Sequence, residues 1–259
     1  MKKIIGFLCM SVSISSFGYD VNGIDIENDK KEQVIKKIQG INQGFKFKEL
    51  PKGANNYSAF NAILHTDESI TSFLASFDDD DNLIYINKEE VFNDGNHISE
   101  EKFRNKLIEK YGDDFNENSY GSTTDNSIKW AKGLSYEDAS KLNKYECSIT
   151  NGYISAFSTI GSVKGKIRTT EIDKPIFISG LNPSCDYNIN VNYINGIARE
   201  KDSDYNTIYG TIKSYNIVLI NTKREINNQV NNQQKQKDAL NKKLKEEADK
   251  IKNAKDVNI

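Results

Sequence analysis

At 259 residues the chain is long enough for one large domain or two small ones, and 37% hydrophobic and 28% charged residues are typical of a globular protein. A formal net charge of −2 provides no broad basic field, so nucleic acid and anionic membranes are excluded as expected partners of the protein body.

The first 18 residues have the features of a secretory signal peptide. Two lysines follow Met1, an apolar run covers Ile4–Ile14, and the small residues Ser16 and Gly18 precede a cleavage site before Tyr19. The apolar run is well below the roughly 20 residues needed to span a bilayer. We therefore predict a periplasmic or secreted protein with no transmembrane segment after signal cleavage.

Signal cleavage removes Cys9 and leaves Cys147 and Cys185 in the mature chain. An even number of cysteines in an oxidising compartment predicts a disulfide bond between them. In the chain-entropy account this bond stabilises the fold by roughly 4 kcal/mol. A thiol nucleophile or a zinc site is the alternative, but neither cysteine has a C-x-x-C neighbour, and His65 and His97 lie far away in the sequence.

The segment 19–112 is predicted to form an α+β module. It opens with an alternating strand, Val21–Ile26, and continues with a helix that Asp29 caps and Gly40 ends. The apolar face of this helix consists of Val34, Ile35 and Ile38.

Four strands and a second helix complete this module. The helix begins after the N-cap Ser99, where Ile98 and Phe103 form a hydrophobic staple, and it ends at Gly112. Its buried face is expected to contain Phe103, Leu107, Ile108 and Tyr111. The strands are expected at Phe45–Leu50, Tyr57–His65, Thr71–Phe77 and Leu83–Ile86, in the order of a meander.

The stretch 113–129 is predicted to be a linker because it is polar and rich in turn residues. The segment 130–222 is predicted to be a disulfide-bonded, β-rich domain that includes a short helix beginning at Ser135. Its strands are expected at Cys147–Phe157, Gly165–Glu171, Pro175–Ile178, Cys185–Tyr193 and Tyr215–Ile220.

One of these strands has a strict alternation of apolar and polar residues between Tyr187 and Tyr193. A period of two is typical of a strand with one face on a core and the other in water. The inward residues are expected to be Tyr187, Ile189, Val191 and Tyr193, and the outward residues Asn188, Asn190 and Asn192.

The C-terminal segment 223–259 contains neither proline nor glycine and is predicted to be a charged helix, largely exposed past Asn231. A polar gap, Asn231–Asp238, interrupts its apolar residues, so a loosely docked helix and a weak coiled coil both fit. Weak self-association through residues 226–257 is therefore one expectation. The apolar residues are Ile226, Val230, Leu240, Leu244, Ile251 and Ala254.

Asp78, Asp80, Asn82 and Glu89 have the ligand spacing of an EF-hand calcium loop. Leu83 occupies the position where that loop needs glycine, and no helix is expected before Asp78. An acidic hairpin turn is the favoured interpretation, because Asp and Asn tolerate turn dihedral angles. Weak binding of a divalent ion at the surface is the alternative.

Other short motifs do not support catalysis. Ser99 and Lys102 have the S-x-x-K spacing of penicillin-recognising enzymes, but the companion motifs are absent and helix capping accounts for the serine. Gly161–Lys166 is one residue short of a phosphate-binding loop and is expected to be a turn between strands. His65 and His97 are expected at the surface. We predict no catalytic residue, metal or cofactor.

Several segments carry a family resemblance: Val21–Ile26, the capped helix through Val34 and Ile38, Asp80–Ile86, and Leu107–Gly112. In this order they resemble a set of exported proteobacterial proteins of unknown function, whose N-terminal part is similar to small α+β modules of the BamE/SmpA and β-lactamase-inhibitor type. The resemblance covers residue 19 to about residue 112 and implies protein binding without catalysis. In the same set, a cysteine pair often precedes a charged C-terminal helix.

These features predict an α+β protein with an N-terminal strand-helix-meander-helix module, a mainly antiparallel β part with one disulfide bond, and a long charged C-terminal helix. We expect a non-enzymatic protein that binds another protein or an envelope component. The alternatives are a hydrolase acting on an envelope polymer and an inhibitor of a host or competitor enzyme. A pocket with convergent carboxylates would favour the hydrolase.

Overall fold

The computed structural model describes residues 19–52, 57–93, 95–113, 116–120, 125–132, 160–163, 166–169, 185–199 and 205–252. The predicted α+β class, with mainly antiparallel strands and a C-terminal helix, is confirmed over these residues. The helices are α1 (Lys31–Ile41), α2 (Glu100–Tyr111) and α3 (Thr222–Lys252). The strands are β1 (Asp20–Val21), β2 (Ile24–Asp25), β3 (Lys46–Glu49), β4 (Ser58–His65), β5 (Ser69–Phe77), β6 (Leu83–Phe92), β7 (Ile98–Ser99), β8 (Asn116–Tyr120), β9 (Asp125–Lys132), β10 (Ile160–Val163), β11 (Lys166–Thr169), β12 (Tyr187–Arg199) and β13 (Tyr205–Asn221).

One large antiparallel sheet organises the described part of the chain. Its strands follow the order β3-β4-β5-β6-β13-β12-β9-β8, and the short β7 also pairs with β13. Strand β6 comes from the segment 19–112 and pairs with β13 from the segment 130–222, for example Leu219 with Ile86. Both predicted modules therefore contribute strands to the same sheet, and the division into domains stays a prediction.

The stretch 113–129 is not an aperiodic linker in its described residues. Strand β8 lies within it, and β9 begins at Asp125 and pairs with β12. Strand β9 pairs with β8 on one side and β12 on the other, so its backbone hydrogen bonds are satisfied within the sheet and a polar composition does not prevent it from forming. Tertiary pairing overrides the loop signal here.

The main core lies on the face of the sheet that α1, α2 and the β1–β2 hairpin cover. Side chains from β4, β5, β6, β12 and β13 meet both helices and the hairpin there. Burial of this apolar surface is the main favourable contribution to folding. Its largest fully buried members include Phe60, Phe73, Phe77, Tyr193, Ile24, Ile26 and Ile38.

The predicted strand Val21–Ile26 is a hairpin instead. Asn22 and Gly23 have φ angles of 54° and 78°, and they join β1 to β2. Two successive residues with positive φ define the tight type I′ turn, for which Asn-Gly is the strongest sequence signal. The alternating pattern indicates the buried residues correctly, but the Asn-Gly pair reverses the chain direction.

Asp29 does not cap α1 as predicted. Its carboxylate accepts hydrogen bonds from the Asp25 amide at 2.7 Å and from the Lys37 ammonium at 2.6 Å. Gln33 instead accepts from the amide of Lys30, the N-cap residue, at 2.8 Å. The helix also continues through Gly40 and ends at Ile41, because a glycine in the last turn costs less than the main-chain bonds it retains. Val34 and Ile38 are buried as predicted.

Strand β12 shows the predicted alternation on its core side. Ile189, Val191 and Tyr193 are buried in the main core, and the hydroxyl of Tyr193 reaches Glu100 on α2. Asn188 was expected in water but is buried, and it donates to the Thr222 hydroxyl at 2.7 Å. The start of α3 therefore covers this end of the outer face.

Helix α3 is attached to the body by polar residues. Arg224 donates to the carbonyl oxygens of Ile26, Leu83 and Glu27 at 3.2, 2.7 and 3.0 Å. The buried face of the helix consists of Thr222, Glu225, Asn228 and Asn232. Lys235 forms an ion pair with Asp79, and the residues that follow it are exposed through Ile251.

Most of the predicted apolar seam does not dock on the body, although Ile226 at its start is half-buried. Val230, Leu240, Leu244 and Ile251 are 58%, 57%, 55% and 76% exposed. The docking residues are offset by about a third of a turn from this stripe, because residues spaced by three and four fall on a common helix face. Over the described side chains up to Ile251, the prediction of a helix exposed past Asn231 is confirmed with one exception, the buried Asn232.

Some expectations lie outside the described residues: the signal segment 1–18, the helix beginning at Ser135, and the strands Cys147–Phe157 and Pro175–Ile178. Strands β10 and β11 form an antiparallel hairpin around residues 164–165. Four residues of the predicted turn Gly161–Lys166 therefore lie in paired strands, and the other two lie outside the described residues.

Candidate functional site

A cavity of about 580 Å³ lies between α2 and the sheet. Helix α2 forms one wall, β6 and β13 form the floor, and Val21 and Asn22 of the β1–β2 hairpin close one end. This volume is within the usual range for sites that hold small molecules. The cleft exists because the capped α2 begins directly after β7, which pairs with β13 at Ile212.

The lining of the cleft is largely apolar and aromatic. Phe103 packs at 4.7 Å, between ring centroids, against Tyr215, which rises from β13. Apolar side chains in the lining would remove part of a ligand's apolar surface from water. The apolar and aromatic lining residues are Val21, Ile98, Phe103, Leu107, Tyr111, Tyr215 and Ile217.

Within the described part of the chain, the charged residues that line the cleft are all lysines. Lys102, Lys106 and Lys110 follow one another at four-residue spacing along α2, and Lys88 comes from β6. Lysines at this spacing lie on the same helix face and repel one another, at a cost of about 0.2–0.5 kcal/mol for each adjacent pair. A negatively charged ligand would relieve this repulsion.

Two of these lysines already have carboxylate partners. Lys110 pairs with Asp20 at 2.6 Å, and Lys88 pairs with Glu90 at 3.1 Å. Among the described residues, neither Lys102 nor Lys106 forms an ion pair. The cleft therefore presents two ammonium groups that can meet an anion.

The floor of the cleft contains a hydrogen-bonded polar network. Lys88 donates to the Tyr215 hydroxyl at 2.7 Å, and that hydroxyl donates to Glu90 at 2.5 Å. Ser69 donates to the other oxygen of Glu90 at 3.1 Å. The Lys88 ammonium also lies 5.2 Å from the centre of the Tyr215 ring. Each of these groups has a partner, which is the condition for a buried polar network to stabilise a fold.

The protonation states of this network follow from its surroundings. Burial alone would raise the pKa of Glu90, but the Lys88 ammonium and the hydrogen bonds from Tyr215, Lys88 and Ser69 lower it below its ordinary value. Burial and the negative charge of Glu90 raise the pKa of Tyr215 well above 10. A charged carboxylate beside a protonated phenol is a weak base, so the network is poorly suited to proton abstraction.

Three of the four residues with EF-hand spacing, Asp78, Asp80 and Asn82, meet in one turn, but Glu89 does not join them. Asp78 accepts from the amides of Asp80 and Asn82 at 3.0 and 2.8 Å, and Asp81 has a φ of 61°. These bonds build the tight turn between β5 and β6, as expected of an acidic hairpin. Glu89 lies further along β6, away from the turn. In the described ranges, no three His, Cys, Asp or Glu residues are placed to share a metal ion.

Other predicted residues have structural surroundings. Ser99 accepts a hydrogen bond from the Lys102 amide at 3.3 Å, which confirms its role as the N-cap of α2. Cys185 is fully buried at the start of β12, whereas Cys147 lies outside the described residues, so their bridge stays a prediction. His65 is exposed at the end of β4, as expected, and His97 is half-buried.

The sequence patterns considered above did not reveal the cleft, although a signal exists. A lysine followed by an apolar or aromatic residue occurs three times at four-residue spacing in α2: Lys102-Phe103, Lys106-Leu107 and Lys110-Tyr111. On a helix this repeat places a cationic row beside an apolar row. The contribution of Lys88 and Tyr215 depends on the long-range pairing of β6 with β13 and has no local signature.

None of the helices in the described ranges has an apolar stretch long enough to cross a membrane. No protein family, no curated protein and no solved structure matches this chain.

Proposed function

We propose that this chain is an exported, non-enzymatic binding protein whose cleft takes an anionic amphiphile, an envelope component with an apolar body and a negatively charged head group. The observation that carries the proposal is a pair of ammonium groups, Lys102 and Lys106, that lie at the rim of an apolar cavity and form no ion pair with any described residue. The apolar body would contact Phe103, Leu107 and Ile217, and the head group would meet the lysines.

The charge of the lining favours an anion over a neutral or cationic ligand. Over the described residues, the cleft is lined by four lysines and by no Asp or Glu, and two of the lysines keep their own carboxylate partners. A cationic ligand would be repelled, and a neutral amphiphile would gain the apolar contacts alone. A head group that desolvates the two ammonium groups must pair with them, because an unpaired charge removed from water is costly.

A binding role is also better supported than catalysis by the network on the cleft floor. Glu90 holds its negative charge and Tyr215 holds its proton, so neither of these two groups is a base matched to neutral pH. A hydrolase would need such a base beside a nucleophile. The resemblance to protein-binding α+β modules points in the same non-enzymatic direction.

The proposal is tested with 1-anilinonaphthalene-8-sulfonate, a fluorescent probe that combines an aromatic body with a sulfonate. We expect saturable binding to the mature chain and an affinity about tenfold lower in the variant K102Q/K106Q, which removes two charges. The matched control K242Q/K243Q removes two charges from the exposed helix and should bind within about twofold of the wild type. Equal affinity in both variants would overturn the proposal.

A further inference from the structure

A second surface lies on α3, which contributes no residue to the lining of the cleft. Binding at this surface does not depend on the proposed function. The helix is attached to the body by its polar face, and its apolar stripe is exposed from Val230 to Ile251. Beyond Asn232 the described side chains are exposed through Ile251. In proteins, most helices gain their stability from packing of an apolar face.

The stripe has the spacing of a coiled coil. In a heptad repeat, Val230, Leu244 and Ile251 occupy a positions, and Ile226 and Leu240 occupy d positions. The same frame places three polar residues in the seam: Gln233, Lys237 and Glu247. The orientation of a pair of helices is therefore decided by where these polar residues meet.

The two orientations have different consequences for the charged seam residues. In a parallel pair each seam residue faces its own copy, so Lys237 would face Lys237 and Glu247 would face Glu247. In an antiparallel pair a positions face d positions. Centred on Lys242, such a pair sets Leu240 against Leu244, Lys237 against Glu247 and Gln233 against Ile251, since each pair is equidistant from the centre. The parallel pair buries like charges, and the antiparallel pair joins opposite ones.

We propose that two copies of this chain associate through α3 in an antiparallel coiled coil centred on Lys242. Across the described residues neither Lys237 nor Glu247 has an ion-pair partner within its own chain. The exposed segment from residue 233 to residue 251 is roughly 28 Å long, so this orientation separates the bodies of the two copies by about that distance. Lys243 meets its own copy beside the two-fold axis, which makes the dimer weak and reversible.

The proposal is tested by sedimentation equilibrium of the mature chain and of charge-reversal variants. K237E and E247K each create like-charge layers in the antiparallel pair and should raise the dissociation constant at least about tenfold. The double variant K237E/E247K restores opposite charges and should return the constant to within about threefold of the wild type. In a parallel pair the double variant would only exchange one set of like charges for the other.

Controls with the same change in net charge are K242E and E246K, which lie outside the seam and should leave the dissociation constant within about twofold. Circular dichroism verifies that each variant keeps its helix. A wild-type chain that remains monomeric at millimolar concentration would overturn the proposal. A dimer that K237E and E247K weaken no more than their controls would overturn it as well.

Discussion

The hydroxyl of Tyr57 donates a hydrogen bond to the carboxylate of Glu225, which lies fully buried in the first turn of α3. Gln229 donates to the same carboxylate oxygen at 2.5 Å, and the second oxygen has no hydrogen-bond partner in the described part of the chain. The docking of the C-terminal helix is therefore linked to the ionisation of one buried acid.

The link predicts a pH-dependent stability. Burial raises the pKa of Glu225 from 4.5 to about 7, although the hydrogen bonds from Tyr57 and Gln229 oppose this change. An acid whose pKa is higher in the folded state stabilises the fold below its unfolded pKa, and this stabilisation is lost as the pH rises through the folded pKa. Between pH 4.5 and pH 8 the group should lower the free energy of unfolding by roughly 3 kcal/mol.

Urea denaturation at pH 5 and pH 8 measures this effect, with E225Q as the comparison because glutamine keeps the shape and cannot ionise. The wild type should lose more stability over this interval than E225Q. Parallel pH profiles for the two proteins would show that Glu225 does not carry the dependence.

Two truncations distinguish the anchor of α3 from its exposed part. A stop after Asn221 removes Arg224, whose three hydrogen bonds to carbonyl oxygens join the helix to the body, and Glu225 with it. Charged hydrogen bonds contribute about 1.5–3 kcal/mol each, so the melting temperature should fall by several degrees. A stop after Asn232 keeps the anchor and should change it by less than about 1 °C. An equal fall in melting temperature for the two truncations would contradict the division of α3 into an anchoring start and an exposed remainder.

A glycine substitution in the β1–β2 turn tests the backbone conformation of the hairpin, and a glycine substitution in α1 is the comparison. Gly23 has a φ of 78°, where any residue with a Cβ atom is strained, so Gly23→Ala should destabilise the protein by about 1 kcal/mol. Gly40 lies in α1, where an added methyl group would meet open space, and Gly40→Ala should stabilise the protein by about 0.5–1 kcal/mol. Thermal denaturation gives both changes in stability. Changes of the same sign would refute the positive φ of Gly23 or the helical conformation of Gly40.

The predicted bond between Cys147 and Cys185 is checked by thiol counting in denaturant. The mature chain should show no reactive thiol before reduction and two after it, since an exported chain with two cysteines is expected to pair them. Two reactive thiols before reduction would show that the two cysteines do not form a disulfide bond. They would also weaken the argument for export on which it depends.

The features that the sequence predicts correctly are those that depend on residues close together in the chain. The cap at Ser99 and the alternation from Tyr187 depend on neighbouring residues, and both are visible in the sequence. Strand β6 extends to Phe92, beyond its predicted end at Ile86, because β5 and β13 on either side satisfy its polar stretch. That pairing is long-range and leaves no local pattern.

The docking face of helix α3 also has no local sequence pattern that predicts it. The apolar residues of the helix fitted either a loosely docked helix or a weak coiled coil, and the body binds the face that contains Glu225, Asn228 and Asn232. A polar docking face has no hydrophobic periodicity, because its stability comes from specific hydrogen bonds rather than from apolar area. The cleft was missed for a related reason, since two of its elements meet only through the sheet.

Isothermal titration calorimetry of the mature chain with two amphiphiles of the same chain length measures whether the cleft prefers an anionic amphiphile. Dodecanoate has a negative head group and dodecyltrimethylammonium a positive one, so the pair isolates the role of the lysines on the cleft rim. We expect saturable binding of one dodecanoate per chain, about tenfold weaker binding of dodecanoate in K102Q/K106Q, and at least about tenfold weaker binding of the cation to the wild type. Equal binding of both amphiphiles, or no binding of dodecanoate below its micelle-forming concentration, would contradict this preference.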